Sequence, residues 1–157
     1  MIVYIIGSLA NPNVLPIAKR VMDTGHEVYC EWHCPGPDAD KFWQEHCKFF
    51  KLTYQQALDG WHAKQVFEID LFHLDRCDTA ILVLPAGKSG HLELGYIRGS
   101  KKPGYILLDK EPDRYDLMYR FGNIVTTELD EILDDIKNRT HPDSHEHGDR
   151  HLLHLEG

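Results

Sequence analysis

The chain has 157 residues, 42% of them apolar and 27% charged, enough to bury one core and unlike a low-complexity or fibrous composition. Its 25 acidic side chains against 17 basic ones leave a formal net charge of −8, the wrong sign for gripping a nucleic-acid polymer by its phosphates. No apolar run approaches the roughly 20 residues that a bilayer crossing needs, and "MIVYIIGS" is too short for a signal peptide, so no membrane partner and a cytoplasmic location are expected.

"IVYIIGS" is β-branched and aromatic and ends in Gly7-Ser8, a buried strand running into a tight turn. Asn11-Pro12-Asn13 offers caps for a helix in which Val14, Ile17, Ala18 and Val21 recur at i, i+3, i+4 and i+7, closed by Gly25. "HEVYCEW" reads as a second strand, which the loop "HCPGPDAD" cannot continue. "ADKFWQEHCKFFKLTYQQALDG" reads as one long helical stretch ending at Gly60, and a further helix runs from Trp61 or His62 to about Cys77. "TAILVLP" is a fully buried strand, "HLELGYIRGSK" a helix, "GYILLD" and "NIVTT" two more strands, and "TELDEILDDIKNR" a closing amphipathic helix. One domain, residues 1–140, is therefore expected, followed by a His-rich polar tail, 141–157, read as a mobile or partner-packed terminus.

Strands alternating with helices, several of them apolar on both faces, predict an α/β fold with a parallel sheet covered on both sides. Ligands of such sheets bind beyond the carboxyl ends of the strands. That rule gathers Gly7 and Ser8, the 33–40 loop, and Gly87, Lys88, Ser89 and Gly90 around one crevice.

"GKS" at Gly87–Ser89 fails as an ATPase phosphate loop, because the glycine required five positions earlier is Leu82. A turn of small residues before a helix still presents free backbone N–H groups to a phosphate, a sugar hydroxyl or water. Cys30, Cys34, Cys47 and Cys77 match no zinc-knuckle spacing and are expected as reduced thiols, so no metal is assigned.

Glu93 is placed in the first turn of the helix after this loop. Leu92, Gly95, Tyr96 and Gly99 form the face expected to pack on the sheet, its two glycines allowing close approach. The helix dipole would favour the ionised form of Glu93, as attack on an electron-poor sugar carbon requires. A solvated first-turn glutamate is the other reading. Asp70 lies three residues after Phe67 and four before Leu74. There, partial burial would raise its pKa and suit it to donate a proton, an exposed helix acid being the alternative. Tyr4 either bonds a carboxylate at the strand ends or fills the core.

"YIIGSL", "FEIDLFHLDRCD" and "AGKSGHLELGYIRGSKKPGYILL" together resemble the nucleoside 2-deoxyribosyltransferase family, which includes the deoxynucleoside 5'-monophosphate N-glycosidases. The likeness runs over about residues 2 to 125, with "ELGY" followed by "SKKP" and a strand as its most specific element. It implies a flavodoxin-like, doubly wound, five-stranded parallel sheet and cleavage of the N-glycosidic bond of a deoxynucleoside or deoxynucleotide, with no cofactor. By the same resemblance Glu93 is the nucleophile, Asp70 protonates or orients the base, Tyr4 orients the nucleophile, and the base lies near Asp38, Asp40 and Trp43. Asn123, behind Leu117-Met118, would enter a neighbouring subunit's site together with Met118, which implies a homodimer or higher homo-oligomer. Lys88 could pair a 5'-phosphate. The chain departs from the family six residues before Glu93, where transferases carry aspartate and monophosphate hydrolases serine; Gly87 stands there. A catalytically inactive nucleotide-binding module of the same fold is the competing expectation.

Overall fold

A computed structural model describes residues 1–140; the expectation for the tail falls outside the described residues. In chain order the elements are β1 (Ile2–Ile6), α1 (Val14–Asp23), β2 (Glu27–Tyr29), α2 (Ala39–Phe49), α3 (Tyr54–Leu58) and α4 (Trp61–Arg76). They continue with β3 (Thr79–Val83), α5 (Lys88–Gly99), β4 (Gly104–Leu107), β5 (Val125–Thr126) and α6 (Leu129–Thr140). Short 3₁₀ turns occupy Glu31–His33 and Leu117–Phe121.

The sheet has five strands in the order β2-β1-β3-β4-β5, every neighbouring pair parallel. This is the α/β, flavodoxin-like arrangement expected, and its order reverses between β1 and β3. Alternation along the strands builds two cores. Val3, Ile5, Ile81, Val83, Tyr105 and Leu107 face α1 and α6. Tyr4, Ile6, Ala80, Leu82 and Ile106 face Leu74 and Cys77 of the α4 end and Leu94 and Ile97 of α5. Both faces are covered, which is why "TAILV" is buried at every position and apolar from Ala80 to Val83, the Thr79 hydroxyl donating to the Pro103 carbonyl at 2.9 Å. The far side is fastened by Tyr105, whose hydroxyl donates to Asp135 Oδ2 at 2.6 Å while Arg139 Nε bonds the same oxygen at 2.6 Å.

Two expectations are corrected. The stretch expected as one helix to Gly60 is broken: α2 ends at Phe49, Lys51 turns the chain with φ 54°, and Thr53 starts α3 through a reciprocal capping box with Gln56. No residue of α2 is buried, so no core contact holds the two pieces in line. The packing face of α5 also differs. Leu92 and Tyr96 are exposed, and nothing stands within 4 Å of a Cβ built on Gly95 or Gly99. The buried stripe is Gly90, Leu94 and Ile97. At Gly90 an added Cβ would lie 3.0 Å from Ile6 Cγ2 and 3.1 Å from Leu82 Cδ1, so this glycine permits the close approach to the sheet.

The two glycines of α5 should therefore respond oppositely to alanine. Gly90→Ala is expected to destabilise the fold by about 1–3 kcal/mol through overpacking. Gly95→Ala, in open space in the helix interior, should stabilise it by about 0.5–1 kcal/mol through helix propensity. Urea denaturation of the two variants measures both.

Candidate active site

Three loops at the carboxyl ends of the strands are tied together by buried polar contacts. Asn11, itself buried, donates through Nδ2 to the carbonyl oxygens of Val83 at 3.3 Å and Pro85 at 3.2 Å, and its Oδ1 accepts from the Asn13 amide at 3.0 Å. The β1–α1 loop is thereby locked to the β3–α5 loop. Trp32 Nε1 donates to the Ile5 carbonyl at 2.7 Å and fixes the loop after β2 against β1. Gly7 lies between: a Cβ there would meet Val14 Cγ2 at 2.7 Å and Trp32 at 3.4 Å.

The crevice so enclosed holds about 530 Å³, within the range of small-molecule sites. Gly7, Ser8, Asp40, Asp70, Gly87, Ser89 and Glu93 all line it. Glu93 comes from α5, three residues after Gly90 and one before Leu94, so its side chain leaves the helix beside the buried stripe. Asp70 comes from α4, four residues before Leu74, the buried residue of that helix. Tyr4 is buried behind both acids in the middle of the sheet. Its ring packs against Tyr29 with centroids 5.1 Å apart, the two tyrosines being register partners on β1 and β2.

Electrostatics tie these groups together. Burial, with the charge of Asp70 second, raises Glu93 from 4.5 up to about 8. Burial raises Asp70 to about 6, opposed by the Tyr29 hydroxyl, which hydrogen-bonds its carboxylate. The Tyr4 phenol is pushed far up, by burial first and then by the charges of Glu93 and Asp70, and stays protonated at every physiological pH. A protonated phenol facing two acids can donate, as an orienting group must. The expected effect of the helix dipole on Glu93 is corrected: α5 starts at Lys88, which puts Glu93 in the second turn, and desolvation outweighs the dipole there. The acids behave as a coupled pair that holds one proton between about pH 6 and 8.

Other expected residues lie elsewhere. Asp38 is exposed at the N-cap of α2 and does not line the crevice. Trp43 lines a separate apolar cleft with Phe42, His46 and Trp61. Lys88 is exposed and outside the crevice lining. Met118 is exposed in the 3₁₀ turn after β4. Asn123 accepts from the Gly104 amide at 2.9 Å through Oδ1 and lines a wider cleft of about 870 Å³ beyond β4 and β5. The carboxylates of that cleft, Glu111, Asp116 and Glu131, are all exposed, so it is larger than the crevice but lacks its half-buried acids.

Tyr29, Glu31, Trp32, Val66 and Ile69 also line the crevice and were not singled out from the sequence. Tyr29 could have been, as the last residue of a strand whose carboxyl end must face the ligand. Its ring stacks on His73 at 3.5 Å and 8°, which holds the hydroxyl at Asp70. Among the described residues no three His, Cys, Asp or Glu side chains converge to hold a metal ion, and no helix is long and apolar enough to cross a membrane.

No protein-family model matches the chain, and no curated protein sequence does. Solved structures match. One is a 2-deoxyribosyltransferase from Bacillus psychrosaccharolyticus, with TM-score 0.58 and 16% identity over 85% of this chain and 91% of that one. Another is a CMP N-glycosidase from Clostridium botulinum, with TM-score 0.50 and 15% identity over 87% of this chain and 99% of that one. Both belong to the family that the sequence motifs resemble, and at these identities the likeness establishes the fold.

The raised pKa of Glu93 has a consequence for stability. An acid that is weaker in the folded state binds more protons folded than unfolded between pH 4.5 and 8. Its contribution is complete below pH 4.5 and is lost as pH rises through 8. Glu93→Gln, which keeps the shape and removes the charge, is expected to stabilise the fold by up to about 4 kcal/mol at alkaline pH. The gain should vanish near pH 4. Denaturant midpoints across this range measure it, and a pH-independent difference would show that burial does not act on the carboxyl.

Proposed function

We propose that the crevice cleaves the N-glycosidic bond of a 2'-deoxyribonucleoside or its 5'-monophosphate and passes the sugar to another base or to water. The observation that carries this reading is the coupled pair Glu93 and Asp70, desolvated together at the point where the strand order reverses, with the Tyr4 phenol behind them. Two carboxyls with one proton between them are the equipment of glycoside cleavage, one to donate and one to capture. The shared fold of a 2-deoxyribosyltransferase and a CMP N-glycosidase supports the reading.

In the proposed first step the C1'–N bond breaks and its electron pair goes to the base, which takes the proton from Asp70. Positive charge develops on the sugar, and an oxygen of Glu93 bonds C1' as a covalent ester. In the second step a base nitrogen or water attacks C1', its proton passes to Asp70, and the ester oxygen leaves as the carboxylate. Reaction needs the shared proton on Asp70. In the empty crevice Glu93 is the weaker acid and holds it, so cationic character on the bound sugar must draw the proton across by stabilising the Glu93 anion. Tyr4 holds the nucleophilic carboxylate by hydrogen bonding. Tyr29 and Trp32 give the base aromatic walls. A 2'-hydroxyl would crowd the nucleophile, which favours a deoxysugar.

The site is proposed to be completed by a second copy of the chain. Val66, Phe67, Ile69 and Phe72 of α4 and Leu92 and Tyr96 of α5 leave large apolar side chains exposed. Val66 and Ile69 belong both to this face and to the crevice wall, so covering the face also closes the crevice. Phe67→Asp, outside the crevice lining, is expected to shift the protein to monomer in analytical ultracentrifugation and to lower activity with it.

The decisive assay incubates the protein with each deoxynucleoside and deoxynucleoside monophosphate, with and without an acceptor base, and follows free base by chromatography. Wild type is expected to release base and Glu93→Ala to lose at least about a thousandfold in kcat/KM. Release only with an acceptor marks a transferase. No release from any substrate favours the inactive binding module, for which the departure at Gly87 speaks. The pH profile of kcat/KM is expected to be a bell with limbs near 6 and 8, because both the doubly protonated and the doubly ionised pair lack one of the two roles. A rate that keeps rising above pH 9 would remove the shared proton from the mechanism.

A further inference from the structure

We infer that the crevice is one end of a longer trough, and that the apolar cleft between α2 and α4 takes an uncharged aryl or alkyl substituent carried on the base. What occupies the crevice itself rests on the N-glycosidic reading above. The cleft holds about 540 Å³ and has no lining residue in common with the crevice, but the two share their walls. On α4, His62, Val66, Ile69 and Asp70 follow at i, i+4, i+7 and i+8 and form one stripe. His62 belongs to the cleft and the other three to the crevice. On α2, Ala39 lines the cleft and the next residue, Asp40, lines the crevice. A ligand lying along α4 from Asp70 therefore runs out of the crevice into the cleft, with His62 about 12 Å away along the helix axis.

The chemistry of the lining selects the occupant. It includes no Lys, Arg, Asp or Glu, so a charged group entering it would lose water and find no counter-ion. Phe42 and Trp43 of α2 and Trp61 of α4 supply flat apolar walls. The chain does not fill the space itself: α2 buries none of its residues, and Phe42 and Trp61 are 63% and 77% exposed. The walls are nevertheless set in place. Thr53 and Gln56 cap α3 reciprocally, and Gly60 enters α4 so close to α3 that a Cβ there would lie 3.1 Å from the Ala57 carbonyl oxygen.

Direction follows from the order of groups. The proposed cleavage puts the sugar carbon at Glu93 and the base at Asp70, so the edge of the base remote from the sugar lies over Ile69 and Val66. A substituent on that edge continues along the stripe to His62 and Ala63 and enters the cleft. An unmodified base ends before it. Burial of one further ring between aromatic walls is a gain that only the substituted base collects.

The test is calorimetric titration of free bases, which needs no turnover. Adenine and cytosine are compared with their counterparts benzylated on the exocyclic amine, which lies on the edge remote from the glycosidic nitrogen. Each is titrated into wild type, into Ala63→Trp, which fills the cleft, and into Trp61→Ala, which removes an exposed wall. In at least one pair the benzyl base is expected to bind at least about tenfold more tightly, with a more negative heat-capacity change. That advantage should shrink in both variants. Equal or weaker binding of both benzyl bases overturns the inference, as does an advantage that survives both variants. Binding of none of the bases also overturns it and points to a second copy covering the cleft. The chromatographic assay separates the two levels of the argument. A benzyl advantage lost in the variants, without base release from any substrate by wild type, would refute the N-glycosidic reading and leave the cleft as an apolar binding site. Base release without any benzyl advantage would sink the trough alone.

Discussion

The confinement of two carboxyl groups in one desolvated crevice is the constraint from which the rest of the molecule can be understood. Burial raises the cost of ionising both acids, and the charge of Asp70 adds to that of Glu93 because the two are close enough to interact. That arrangement is expensive for folding, and the surrounding structure offsets it. Ten buried apolar side chains make up the core on this side of the sheet, and the acids sit at its upper edge. The same desolvation that destabilises the carboxylates keeps a proton available near neutral pH, so stability and chemistry draw on one electrostatic effect with opposite sign.

Geometry at the crevice is set by backbone more than by long side chains. Asn11 holds two loops through backbone carbonyls, Trp32 pins a third, Gly7 occupies a place where a methyl group would clash with Val14, and Gly90 one where Ile6 and Leu82 would have to give way. Rigid loops on a rigid sheet leave the acids little freedom to move apart. By contrast α2, α3 and the outer face of α4 are weakly buried, with Phe42, Phe49, Phe50 and Trp61 exposed beside Phe67 and Phe72. The molecule thus pairs a well-packed half that carries the crevice with an exposed apolar periphery, and the crevice opens towards that periphery through Val66 and Ile69.

Fold class, strand count and the location of a crevice were all legible in the sequence, because a parallel sheet covered on both faces needs doubly apolar strands and leaves its ligand loops at predictable positions. The register that places Tyr4 on the side of α4 and α5 follows from the alternation in "IVYII" once the helices are assigned to faces. Asp70 was legible as an acid bordering an apolar flank, four residues before a core leucine. The break before α3 could also have been read, since "TYQQ" carries the Thr and Gln of a capping box, but the apolar and aromatic run on either side concealed it.

What local pattern could not supply is which face of a helix is buried and how far each acid is from water. In α5 two stripes, Leu92–Gly95–Tyr96–Gly99 and Gly90–Leu94–Ile97, satisfy the same periodicity, and only contact with Ile6 and Leu82 selects the second. That selection turns Glu93 inward and replaces the helix dipole by desolvation as the force on its proton. Tyr29, Glu31 and Trp32 reach the crevice because β2 lies at the sheet edge next to β1, a neighbourhood fixed by chain topology. The amino-acid sequence by itself determined the layers, the strands and the chemical types present. The tertiary structure alone decided which of them share a dielectric environment, because electrostatic coupling depends on distance and burial and neither is a property of sequence spacing.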